Sequence, residues 1–125
     1  MKITDEIIAI ACHEANRAFC NATGDHSQKP WDEAEQWQRD AAIHGVKAHQ
    51  EALGKGDKIP PHLSHVIWMA EKLCAGWTWG PVKDGEKKEH PDLVPYDQLS
   101  VEARFKDYLF GAINEAYFQV KKLTP

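Results

Sequence analysis

Four stretches of this chain set apolar residues three and four apart, and hardly any stretch alternates them. That spacing belongs to helices rather than strands, so it limits the fold more than any other feature. Ile8, Ala11, Cys12, Ala15, Phe19 and Ala22 form the first set. Thr4 precedes it as an N-cap, with Asp5 and Glu6 in the first turn where the helix dipole favours acids. After the break "NATGDHSQKP", a second helix is expected from Trp31 or Asp32, with a thin stripe of Ala34, Trp37, Ala41, Ala48 and Ala52, ending at "GKGDKIPP". A third runs from about His62 to Ala75. A fourth starts near Ser100, with Phe105, Leu109, Ala112, Ile113, Ala116, Val120 and Leu123. The chain reads as mostly α: one domain, residues 1–125, of about four helices, with a long structured loop after the third that holds at most a short extended hairpin. The expected core includes Phe19, Trp37, Leu73, Trp77, Leu109 and Ile113, with the first and fourth helices sharing it.

At 125 residues the chain has room for one real core. A formal charge of −4 argues against general nucleic-acid binding. No apolar run approaches the roughly 20 residues of a membrane span, and the first residues lack a signal-peptide pattern. These features lead to the expectation of a cytoplasmic protein without membrane contact. Cys12, Cys20 and Cys74 lack paired spacing, so free buried thiols are expected rather than disulfides. "HEANR" begins like a zinc-protease motif, but Arg17 stands where a second histidine is needed, and no metal site or cofactor is expected. No nucleophile lies beside a base, so no enzyme activity is expected.

The third helix has two unlike faces. Leu63, Val66, Ile67, Ala70, Leu73, Cys74 and Trp77 fall within roughly 120° of arc, which predicts the core face. His65, Trp68 and Lys72 lie nearly opposite. A tryptophan there reads as a stacking platform, with the lysine for an anionic group and the histidine for a hydrogen bond. The competing reading packs Trp68 beneath the following loop or against the first helix. That loop, "GWTWGPVKDGEKKEHPDLVPY", carries Lys83, Lys87, Lys88 and His90, and folding back would bring positive charge to the His65–Trp68–Lys72 face. Tyr96 would hold its far end.

The run "HVIWMAEKLCAGWTWGPVKDGEKKEHPDLVPYDQL", His65 to Leu99, resembles the ryanodine-receptor repeat, or RyR domain. Its marks are H-x-x-W, a basic residue, G-W-x-[YW]-G, an Asp, a basic pair before x-P, and L-V-P-Y-x-x-L. The motif core spans 62–99, and the resemblance covers roughly residues 7 to 120. It implies a compact helical fold of the kind found in tandem in calcium-release channels and singly in bacteria and phages. In channel repeats the H-x-x-W tryptophan lines a pocket for adenine-nucleotide-type ligands. Carried over, this implies ligand binding by Trp68 with His65 and Lys72, and phosphate contact by Lys87 and Lys88. Trp79 stands where the family often has tyrosine, so a hydroxyl contact is lost there.

The leading expectation is a binding module for a small nucleotide-like anion, through His65, Trp68, Lys72, Trp79, Lys87, Lys88 and Tyr96. A protein-interaction module gripping a partner with the aromatic loop is the alternative, and a nucleotide hydrolase comes last. One repeat offers one stacking face, so a two-fold homodimer that shares the ligand is also expected.

Overall fold

The computed structural model describes residues 2–123. Four α-helices dominate it: α1 (Asp5–Ala22), α2 (Gln36–Gly54), α3 (Pro61–Cys74) and α4 (Val101–Leu123). Short 3-10 turns stand at Trp31–Glu33 and Tyr96–Gln98. Between α3 and α4 a two-stranded sheet pairs β1 (Thr78–Trp79) with β2 (Glu89–His90). The pair is parallel, Thr78 opposite Glu89 and Trp79 opposite His90, so the loop does not form the expected hairpin there. The chain between the strands makes its own turn, closed by an antiparallel bridge from Asp84 to Glu89, and so re-enters in the same direction.

The helix ends follow from local sequence. Thr4 accepts a hydrogen bond from the Ile7 amide at 3.2 Å, as an N-cap should. Helices α1, α2 and α3 all stop in one way. Gly24, Gly56 and Gly76 have positive φ. The next amides, of Asp25, Asp57 and Trp77, donate back to Cys20, Ala52 and Lys72 at 2.8, 2.9 and 2.9 Å. This is the Schellman arrangement, which a glycine enters without a Cβ clash.

The chain divides into two compact units, one of residues up to Ile59 with those from Leu109 onward, the other Pro60–Tyr108. In the first, Ile8, Ala9, Cys12, Trp31 and Val46 form the core, and Ile43, Phe110, Ile113 and Tyr117 pack on it. Helices α1 and α4 thus share a core, as expected. Gly45 makes room for Phe110: a Cβ there would lie 3.1 Å from its Cζ. The core also holds a polar link. Gln50 donates to the Asn114 carbonyl and side-chain oxygen, both at 3.0 Å, and Asn114 donates to Phe110 O at 2.9 Å. Burial pushes the Cys12 thiol up to about 12, so it stays protonated.

Several core assignments need correction. Trp31 belongs to a 3-10 turn, because Ala34 and Glu35 are extended and delay α2 until Gln36. The buried positions of α2 are Val46, His49 and Gln50; of the expected stripe Ala34, just before the helix, is buried, Ala41, Ala48 and Ala52 are half-buried, and Trp37 is 47% exposed. Small alanines gain little from burial, whereas His49 has the Phe110 ring edge-on at 5.1 Å and Gln50 has Asn114. Phe19 and Leu109 are half-buried. Cys12 and Cys20 are buried thiols, but Cys74 is exposed.

Candidate functional site

In the second unit the two faces of α3 are inverted relative to the periodicity argument. His65 is the buried residue of the helix, 2% exposed, and Trp68 and Lys72 are half-buried. On the face expected to be core, Leu63, Val66 and Leu73 are exposed, the last at 55%, as are Ala70 and Cys74. Of that set, Trp77 alone is fully buried. Angular spacing separates two faces but does not say which is covered. The following loop decides it by supplying partners for the ring and polar groups of the His65 face.

The Schellman turn at the end of α3 starts that loop. It brings Trp77 back beneath Lys72, whose Nζ lies 4.2 Å from the indole centroid. A cation–π contact here replaces the apolar contact that usually accompanies such a cap. Gly80 lets the two strands close: a Cβ would stand 2.6 Å from Glu89 Cβ. Asp84 Oδ1 accepts from the Glu86 and Lys87 amides at 3.0 and 3.1 Å and shapes the turn. Lys88 has φ 55, and its Nζ donates to Ala75 O at 3.0 Å, where a cation suits the negative end of α3.

The loop returns His90 to the platform. Its ring meets Trp68 edge-on at 5.0 Å and Trp77 at 6.4 Å. His65 stacks on Trp68, centroids 5.5 Å apart and planes 22° apart, so the chain's own imidazole braces one side of the indole. Lys72 Nζ lies 5.8 Å from the Trp68 centroid. The Tyr96 ring stands 6.1 Å from His65 and 6.4 Å from His62.

The protons of this cluster follow from its hydrogen bonds. His65 Nε2 donates to Val94 O at 2.7 Å, since a carbonyl can only accept. Its Nδ1 therefore faces Asp107 Oδ2, 3.6 Å away. Burial first and Asp92 second raise Asp107 to about 7, against the opposing effect of Lys106. His90 Nδ1 accepts the Asp92 amide at 3.0 Å, which leaves the proton of the neutral ring on Nε2. Burial, then Lys83, Lys72, Lys106 and His65, lower His90 to about 4, so it is a neutral donor near pH 7 and not the cation the sequence suggested. Burial and Lys83 lower Lys72 to about 8, with Glu71 partly offsetting them.

Of the residues singled out by sequence, His65, Trp68, Lys72 and Tyr96 come together. Trp79 is 56% exposed and stands beside His90 in the strand pairing. Lys87 is exposed, and Lys88 is engaged as a helix cap. Trp77 was assigned to the core, and is, but it is also the surface over which Lys72 lies. Asp107 and Lys106 were not foreseen. The available signal was an acid four residues after Ala103, a residue on the buried side of α4.

Among the described residues, no group of three or more His, Cys, Asp or Glu side chains is placed to hold a metal ion. No helix there is long and apolar enough to cross a membrane. Residues 46–116 match the family model described as the RyR domain.

Proposed function

This chain belongs to the RyR domain family, and from that premise we propose that it is a small-ligand binding module for a nucleotide-like anion in the cytoplasm. The observation that carries the reading is the braced indole: Trp68, half-buried, stacked on His65, with Lys72 alongside and His90 at its edge. A ring held on one side by a fixed imidazole is a prepared surface for a flat heterocycle, and base–aromatic stacking contributes on the order of 1–3 kcal/mol. The adjacent cation suits the ligand's charge. The chain would sense or sequester its ligand, with no catalytic step. A two-fold pair of chains would cover the outer face of the stacked ring and belongs to the same proposal.

Calorimetry with ATP, the first adenine nucleotide to try on family grounds, tests the reading. Trp68→Ala should weaken ATP binding by about tenfold or more, and Trp68→Phe should restore part of it. Unchanged affinity in Trp68→Ala would overturn the platform. Sedimentation with ATP bound tests the pair: a monomer would confine each site to one chain.

The protein-interaction reading, expected of the aromatic loop, finds its observation on a different surface. Leu63, Val66 and Leu73 line one exposed face of α3, and exposed aliphatic side chains in a row mark many docking surfaces. It predicts a binding partner indifferent to Trp68→Ala and sensitive to Val66→Lys.

A further inference from the structure

An aspartate on the covered side of a helix needs a reason. Asp107 follows the buried Ala103 by one turn of α4, and its side chain is only 15% exposed. An apolar residue would fill that place without a desolvation cost, whereas a carboxyl there has to be matched. Its Oδ2 stands 3.6 Å from His65 Nδ1, and that buried imidazole gives its other nitrogen to Val94 O at 2.7 Å.

We propose, resting on the stacking reading above, that Asp107 is a positioning residue for the ligand platform. From α4 it fixes the plane of the His65 ring, and through that ring the Trp68 indole on which a flat ligand stacks. A hydrogen bond at Nε2 alone leaves an imidazole able to rock about the N–H···O axis. A second polar partner at Nδ1, on another side of the ring, removes that freedom. A half-turn of the ring about its Cβ–Cγ bond would set carbons where both nitrogens now stand, so one ring orientation alone suits Val94 O and Asp107 together.

The ring so held lies 5.5 Å from Trp68, with planes 22° apart. Residues three apart on a helix are neighbours in any case. Their near-parallel arrangement is not given by the helix, and here it is set from outside, by the carbonyl of the returning loop and the carboxyl of α4. Tyr96, its ring tilted 55° at 6.1 Å from His65, adds a further wall. Electrostatics permits the contact: burial and Asp92 hold the Asp107 carboxyl up to about 7, so below that value it brings no charge against the Nδ1 lone pair of a neutral ring.

The test uses the full chain, with NMR of the side-chain N–H groups before any ligand is added and calorimetry with ATP afterwards. The His65 Nε2–H and Trp68 indole N–H signals are assigned by their loss in His65→Gln and Trp68→Phe. In the parent the His65 signal should exchange slowly, because its proton is bonded to Val94 O in a buried ring. Asp107→Leu is apolar and Asp107→Ser is too short to reach Nδ1; in whichever folds, both signals should move or broaden and ATP should bind roughly tenfold more weakly. Asp107→Asn can donate to Nδ1 and should restore the signals and most of the affinity. Parent-like signals in Asp107→Leu and Asp107→Ser would overturn the proposal, and so would equal disturbance in Asp107→Asn. If Trp68→Ala weakens ATP but Asp107→Leu and Asp107→Ser do not, the platform stands and the positioning role falls. If ATP binding ignores Trp68→Ala while both signals still depend on Asp107, the stacking reading falls and the placement of the two rings by Asp107 stands.

Discussion

The two units solve the same problem with different chemistry. The first buries aliphatic and aromatic side chains, Ile8 and Val46 completely, with Phe110, Ile113 and Tyr117 against them. Such a core is non-directional: its stability scales with apolar area removed from water. The second buries His65, Trp77, Leu93 and Leu99, with Trp68, Lys72, His90 and Asp107 partly covered, while the aliphatic side of α3 faces outward. Its groups need specific partners, because an unmatched buried polar atom costs more than a matched one returns. Apart from the Gln50–Asn114 link and the buried His13 and His49, the first region is held by such apolar contacts and tolerates shape-conserving change. The other depends on individual hydrogen bonds and carries titratable groups beside an aromatic surface, which is where binding chemistry is expected.

Substitutions can sharpen that contrast or break it. The largest effect should come from Ile8→Asp, which places a carboxylate in the apolar core and should cost about 4 kcal/mol or more in denaturant unfolding. A parent-like midpoint would show that the first unit is not held by that core. Next, His65→Leu keeps bulk but strips Val94 O and Asp107 of their partner, and about 2–3 kcal/mol should be lost. If this variant gained stability, the second unit would be as non-directional as the first.

A subtler effect is in the pH dependence. His90, lowered from its ordinary 6.5 to about 4, binds fewer protons folded than unfolded, so its contribution to stability rises with pH between those values. Asp107, raised from 3.8 to about 7, binds more protons folded than unfolded, so its contribution falls as pH rises across that window. From about pH 4 to 6.5 the two oppose each other. Relative to the parent, His90→Asn should therefore lose stability as pH rises through this range, and Asp107→Asn should gain it. Matching pH profiles in both variants and the parent would mean that neither group is perturbed. The smallest effect should be Leu73→Lys, within about 0.5 kcal/mol in thermal or denaturant melts, because this leucine is exposed. A loss of several kcal/mol would restore the outward face of α3 to a core.

The sequence by itself determined what depends on neighbours in the chain. Four helices follow from apolar spacing and their ends from Thr4, Gly24, Gly56 and Gly76, since capping joins residues only a few positions apart. It also grouped His65, Trp68 and Lys72, because one helix face is a local property. What it could not give was which face of α3 is covered. That depends on Val94, 29 residues later in the chain, whose carbonyl accepts the His65 proton, and on Asp107 in another helix, whose carboxyl faces the other ring nitrogen. The same reason applies to Lys88: in sequence it reads as half of a basic pair, and only the folded loop sets its ammonium on the Ala75 carbonyl at the end of α3.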